Sequence, residues 1–150
     1  MDKKLEKLID LYDKHIEGGL FFAPFNIDML RKKREQDYKT LVDCNESEIL
    51  KECGAFNRYL LNALLYQGVS HITFGRILGL IMSNYVVAEP YLSYDGKIKA
   101  IDNSLENIQT AKKIFKRNPN RNKYKIGAIK NATTSLNIAK QELPQDVLPE

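Results

Sequence analysis

Apolar residues recur at three- and four-residue steps along most of the chain, and this spacing predicts helices. Leu5, Leu8, Ile9, Tyr12 and Ile16 mark an amphipathic helix over 3–17, ended by Gly18-Gly19. Asn26 is placed to cap a second, more polar helix through about Val42, with Phe25 and Leu30 spaced as a hydrophobic staple. Asn45 and Glu48 have the spacing of a capping box for a third helix over 46–66. Its stripe Ile49, Cys53, Phe56, Leu60 and Leu64 is widened by Leu50, Leu61 and Leu65. Beyond Gly68, Phe74, Ile77, Leu78, Ile81, Met82 and Tyr85 define a fourth helix over 70–88. Stripes this broad need more than one neighbour, so these two helices are expected to form a central hairpin. Gly75 and Gly79, four apart, are expected to let another backbone approach closely.

Pro90 stops the fourth helix. Asp95-Gly96 between Tyr91–Ser93 and Lys97–Ile101 predicts a small β-hairpin over 91–101. Asn103 and Glu106 then predict a capping box for a fifth helix carrying Leu105, Ile108, Lys112 and Phe115. Asn118-Pro119-Asn120 breaks the chain, and Ile129, Ala132, Leu136 and Ala139 predict a sixth helix over 123–142. The expected architecture is mainly all-α. It is a bundle of about six helices in one domain, 1–142, with an extended tail over 143–150.

The 150 residues suit a single domain, and 43% hydrophobic with 28% charged residues excludes wholesale disorder. No apolar run reaches the roughly 18–20 residues of a bilayer span; Ile77–Ala88 is shorter and interrupted. Asp2, Lys3 and Lys4 followed by an amphipathic stretch do not make a secretory signal, so a cytoplasmic or virion setting without a membrane partner is expected. Cys44 and Cys53 are then most simply reduced, and with His15 and His71 they match no compact zinc pattern. His15 has Asp13 and Glu17 only at positions that point away on a helix, and His71 beside Ser70 lacks an orienting carboxylate. Cys53 lies on an apolar stripe, where a thiol packs. No phosphate loop, nucleophile elbow or paired-histidine zinc motif is present, so no cofactor, metal or catalytic residue is expected.

Charge is unevenly spread. Between Asn107 and Gln141 there is no acidic residue, yet nine basic ones: Lys112, Lys113, Lys116, Arg117, Arg121, Lys123, Lys125, Lys130 and Lys140. The remainder carries 14 basic and 19 acidic residues. Such segregation attracts an acidic partner, and Tyr124 among the bases is suited to stacking on a nucleobase. The partner is either nucleic acid or an acidic protein surface, including the acidic remainder of this chain or of a neighbouring copy.

The segment Ala63–Leu78, ALLYQGVSHITFGRIL, resembles the helix-turn-helix of bacterial repressors in its LacI-like version. Gly68, Val69, Ser70, Thr73, Arg76 and Ile77 fall at that motif's positions. The resemblance implies that His71, Ile72, Thr73 and Arg76 face DNA, with the 91–101 hairpin as a wing. Leu64 stands where the motif has a small residue and Gln67 where it has an apolar one.

Two further segments look built for docking. Leu20, Phe21, Phe22 and Phe25 beside Pro24 are too apolar for an ordinary loop. Leu143, Val147 and Leu148 are apolar anchors in a proline-containing tail. They lead to the expectation of a non-enzymatic subunit that homo-oligomerises or docks on a larger assembly, like virus connector or adaptor rings by analogy alone. A helix-turn-helix DNA-binding regulator using 63–78 is the alternative, and a small inhibitor docking on one target protein the third.

Overall fold

The computed structural model describes residues 3–18, 27–66 and 69–145, with the side chains of 15–18, 27–30, 33 and 40 outside that description. Six helices follow one another: α1 (Lys3–Gly18), α2 (Ile27–Thr40), α3 (Glu46–Leu64), α4 (His71–Ala88), α5 (Tyr94–Phe115) and α6 (Lys123–Glu142). A short 3-10 turn, Glu89–Tyr91, carries Pro90 between α4 and α5. The described residues contain no strand, and none of their helices is long and apolar enough to cross a membrane.

The Asn45 cap expected at α3 is present, and Ser70 caps α4 in the same way. Asn45 Oδ1 accepts from the Glu48 amide at 2.9 Å, and Ser70 Oγ from the Thr73 amide at 3.2 Å. At α3 and α4 the apolar stripes become the core. Ile49, Cys53, Phe56, Leu60 and Leu64 are buried on α3, and Phe74, Ile77, Leu78 and Ile81 on α4. Each such side chain contributes roughly 1.5–3 kcal/mol. Asn84 Nδ2 donates to Cys53 O and to Asn57 Oδ1, both at 3.0 Å, while Ala88 shares a cluster with Ile49. The two helices therefore lie antiparallel along their length, as a hairpin. Ser104 Oγ on α5 donates to Ile81 O at 2.8 Å, and Phe74 meets Phe115 with ring centroids 5.8 Å apart, so α5 runs antiparallel to α4. Gln109 Nε2 donating to Thr133 Oγ1 at 2.7 Å and Lys140 paired with Asp102 at 2.7 Å align α6 antiparallel to α5.

Three local expectations are corrected. The span 91–101 is not a β-hairpin. Ser93 Oγ accepts from the Gly96 amide at 3.1 Å and starts α5, so Asp95-Gly96 sits in its first turn. Glu46 from α3 holds this start, accepting from the Ser93 amide at 2.8 Å and the Ser93 hydroxyl at 2.6 Å. Gly96 leaves room for that carboxylate, which a Cβ would displace. Asn103 consequently lies inside α5, where its Oδ1 accepts from Asn57 Nδ2 at 2.8 Å instead of capping a helix. Gly75 and Gly79 admit no neighbouring backbone either; the space beside both is open.

A buried polar network joins α1, α2, α3 and α4. Arg34, which stands in the charged run 31–35 of the polar helix α2, is 3% exposed. Its guanidinium pairs with Glu52 and donates to Tyr38 Oη at 2.7 Å, Tyr12 Oη at 3.3 Å and Asn84 Oδ1 at 2.8 and 3.0 Å. It also packs on the rings of Tyr38 and Phe56, 4.3 and 4.0 Å from their centroids. Burial opposes its charge, but Glu52 and the two tyrosine oxygens outweigh that and hold the proton more firmly than usual. Burial likewise pushes the hydroxyls of Tyr12 and Tyr38 upward, and the Cys53 thiol to about 11.

Candidate nucleic-acid interface

The antiparallel stacking of α3 to α6 brings four termini to one end of the bundle: the end of α3, the start of α4, the end of α5 and the start of α6. Two acid-free stretches, Cys53–Ala88 and Asn107–Gln141, supply that end. Asp43, Glu46, Glu48, Glu89 and Asp95 gather where α3 and α5 begin and α4 stops, at the other pole. The charge segregation seen along the sequence is thus a segregation in space.

At the basic pole α5 stops at Phe115, whose carbonyl accepts from Asn122 Nδ2 at 3.0 Å, and the turn through Asn118-Pro119 feeds α6. Lys113, Lys116, Arg117, Arg121, Lys123 and Lys130 are exposed, and Lys112 and Lys125 are half-buried. Among the described residues none of these eight cations pairs with a carboxylate; the ion pairs are Arg34–Glu52, Arg58–Asp13 and Lys140–Asp102. The described carboxylates of the same chain therefore form no ion pair with the cluster. Lys125 lies 5.6 and 5.2 Å from the ring centroids of Phe74 and Phe115. Burial, and then the charge of Arg121, lower its pKa, so an anion beside it would relieve an existing cost. Neither α4 nor α6 has an acidic residue in its first turn, leaving the positive ends of both helices uncompensated.

The residues named for DNA readout sit beside this cluster. His71, Ile72 and Arg76 are exposed, Ile72 at 74%, while Thr73 is half-buried and donates its amide to the Ser70 cap. Further along α4, Phe74, Ile77, Leu78, Leu80, Ile81, Asn84 and Ala88 are buried, while Ser83 and Val86 are again exposed. The His71 ring stacks on Tyr124 with centroids 4.0 Å apart and planes 13° from parallel. This contact joins the two segments that the sequence offered as separate candidates. Two clefts flank the stack. One, about 410 Å³, has Leu65, Val69 and Phe115 in its lining and Arg117, Arg121 and Lys125 around them. The other, about 720 Å³, runs past Arg121, Lys123, Tyr124, Gly127 and Asn131. Both fall within the roughly 300–1,000 Å³ usual for ligand sites.

Leu20, Phe21, Phe22, Phe25, Val147, Leu148 and the His15 side chain lie outside the described residues. Leu143 packs against the main core of its own chain. Among the described residues no group of three or more His, Cys, Asp or Glu is placed to hold a metal ion. The buried Arg34 network directs its polar groups at one another except Glu52 Oε2, which has no hydrogen-bond partner among the described residues. A small cleft of about 160 Å³ beside it has a mainly apolar lining that includes Phe56, Leu80, Val86 and Val87. Comparison with known proteins finds no matching family, no curated protein of similar sequence and no solved structure of matching fold.

Proposed function

We propose that this helical bundle acts by binding nucleic acid, without catalysis, through the phosphate-attracting pole where α4 and α6 begin. The observation that carries the reading is the convergence there of eight cations with no carboxylate partner among the described residues. Cations left in this state attract phosphate at long range and gain further by counterion release on contact. The open clefts and the exposed ring of Tyr124, 51% accessible, support nucleic acid over a flat acidic protein surface. Arg76, one turn along α4 from Ile72, extends the cationic surface beyond α6.

The test is fluorescence anisotropy with a labelled oligonucleotide of mixed sequence. Affinity is expected to fall by on the order of a hundredfold between about 50 and 200 mM salt. Reversing two exposed charges, Arg121→Glu with Lys123→Glu, removes most of it while the far-UV circular dichroism spectrum is unchanged. Absence of binding at the lower salt, or binding indifferent to the reversal, overturns the reading. So does the competing occupant of this pole, the acidic pole of a second copy. It would appear in light scattering as concentration-dependent growth that the same reversal abolishes, with no affinity for the oligonucleotide.

A further inference from the structure

We infer that the nucleic acid held at this pole is single-stranded, with an unpaired base stacked on the His71–Tyr124 pair. The inference rests on the nucleic-acid reading above and names the strand class that the site takes. In a duplex the faces of the bases are hidden in the stack, and a protein ring set on the surface finds only edges and phosphates. A ring presented flat and open has its natural partner in a base that is not paired.

Tyr124 is presented in that way. Its ring is about half exposed, yet it is braced by His71, which comes from a different helix 53 positions earlier in the chain. A braced ring loses less freedom on stacking than a swinging one, which favours binding. The neighbouring surface leaves room for a base. Gly127, on the same side of α6 one turn beyond Tyr124, has no atom within 4 Å of where a Cβ would stand. The cleft there is lined by Gly127, Ala128 and Asn131, with Arg121 and Lys123 on its border. Arg121 borders both clefts, as does His71. A strand crossing the stack from one cleft to the other therefore passes Arg121 with its phosphates while a base lies against the aromatic pair. Arg117 and Lys125 then meet the backbone in the first cleft, and Lys123 in the second.

The experiment uses one oligonucleotide sequence, single-stranded and annealed to its complement, with a 2-aminopurine reporter whose fluorescence is quenched by stacking. The full chain is titrated as wild type, Tyr124→Phe, Tyr124→Leu and Gly127→Leu. The expected result is tighter binding of the single strand, with quenching of the reporter. Tyr124→Phe retains both, since it keeps the ring. Tyr124→Leu weakens single-strand binding roughly 5- to 150-fold and abolishes the quench, while leaving the duplex affinity as it was. Gly127→Leu, which fills open space on an exposed helix face, reproduces the loss without touching the ring. Equal affinity for both forms, or Tyr124→Leu without effect on the single strand, overturns the strand class and leaves phosphate binding standing. Failure of both forms to bind overturns the nucleic-acid reading itself.

Discussion

Replacing Arg34 by methionine tests the packing of the bundle at its most exacting point. The side chains are similar in length, so methionine fills much of the same space, but the charge, its contacts with the Phe56 and Tyr38 rings and the hydrogen-bonding fork are lost. Glu52, 0% exposed, is then left without its ion partner, and the oxygens of Tyr12, Tyr38 and Asn84 each lose a donor. Removing one member of a buried pair costs about 3–5 kcal/mol, because the remaining charge stays desolvated and unpaired. Domains of this size are stable by about 5–15 kcal/mol, so the loss is about a fifth of the total or more. With a urea dependence of about 2 kcal/mol per molar, the unfolding midpoint should fall by about 2 M. The chain has no tryptophan, so far-UV circular dichroism is the natural readout. Adding Glu52→Leu should recover much of the stability, since an apolar pair can replace a buried ion pair. Oligonucleotide affinity of that double variant should match wild type, as the network does not reach the basic pole. A midpoint lowered by less than about 0.5 M in Arg34→Met would refute the buried-pair reasoning.

Other consequences can be measured on the same protein. In native protein Cys44, half-buried, should react with a thiol reagent well before Cys53, which is 2% exposed and held protonated up to about 11; equal rates would contradict that burial. Folding stability should be flat from neutral pH to about 9 and fall above it. Cys53, Tyr12 and Tyr38 have raised folded pKa values, so their contribution is complete below the unfolded values and is lost as the unfolded chain releases protons first. Cys53 alone accounts for roughly 2–3 kcal/mol of that decline, and a flat profile to pH 11 would contradict it. Gly75→Ala, into open space on a helix, should stabilise by about 0.5–1 kcal/mol. Gly96→Ala should not give that gain, because it dislodges Glu46 from Ser93. An equal gain at both positions would argue against the Glu46 contact.

Helix stripes with a wide apolar face, such as those of α3 and α4, are legible because burial repeats at the helical period and the caps Asn45 and Ser70 are local. What misleads is local chemistry whose partner is distant. Asp95-Gly96 has the composition of a tight turn, but the contact that decides its structure comes from Glu46, 47 positions before Ser93. Arg34 sits in a run of charges on a polar helix, and its burial depends on Glu52 and on Asn84, 50 positions later. The basic stretch of the candidate site is equally visible in sequence. Its neighbour is not: nothing local pairs His71 with Tyr124. The acid-free stretch Cys53–Ala88 is present in the sequence as well, but gains meaning only when the start of α4 brings His71 against Tyr124 at the basic pole.

The salt dependence of oligonucleotide binding counts the phosphates that the basic pole neutralises. Five phosphate contacts, from Arg117, Arg121, Lys123, Lys125 and one further cation of the pole, give a slope of log affinity against log salt of about −3.5 for a single strand. Each exposed cation neutralised, Arg121→Ala or Lys123→Ala, should reduce that slope by about 0.7, whereas Lys99→Ala at the opposite pole should leave it unchanged. A slope near zero, or the same slope in all these variants, would contradict the assignment of the basic pole to nucleic acid.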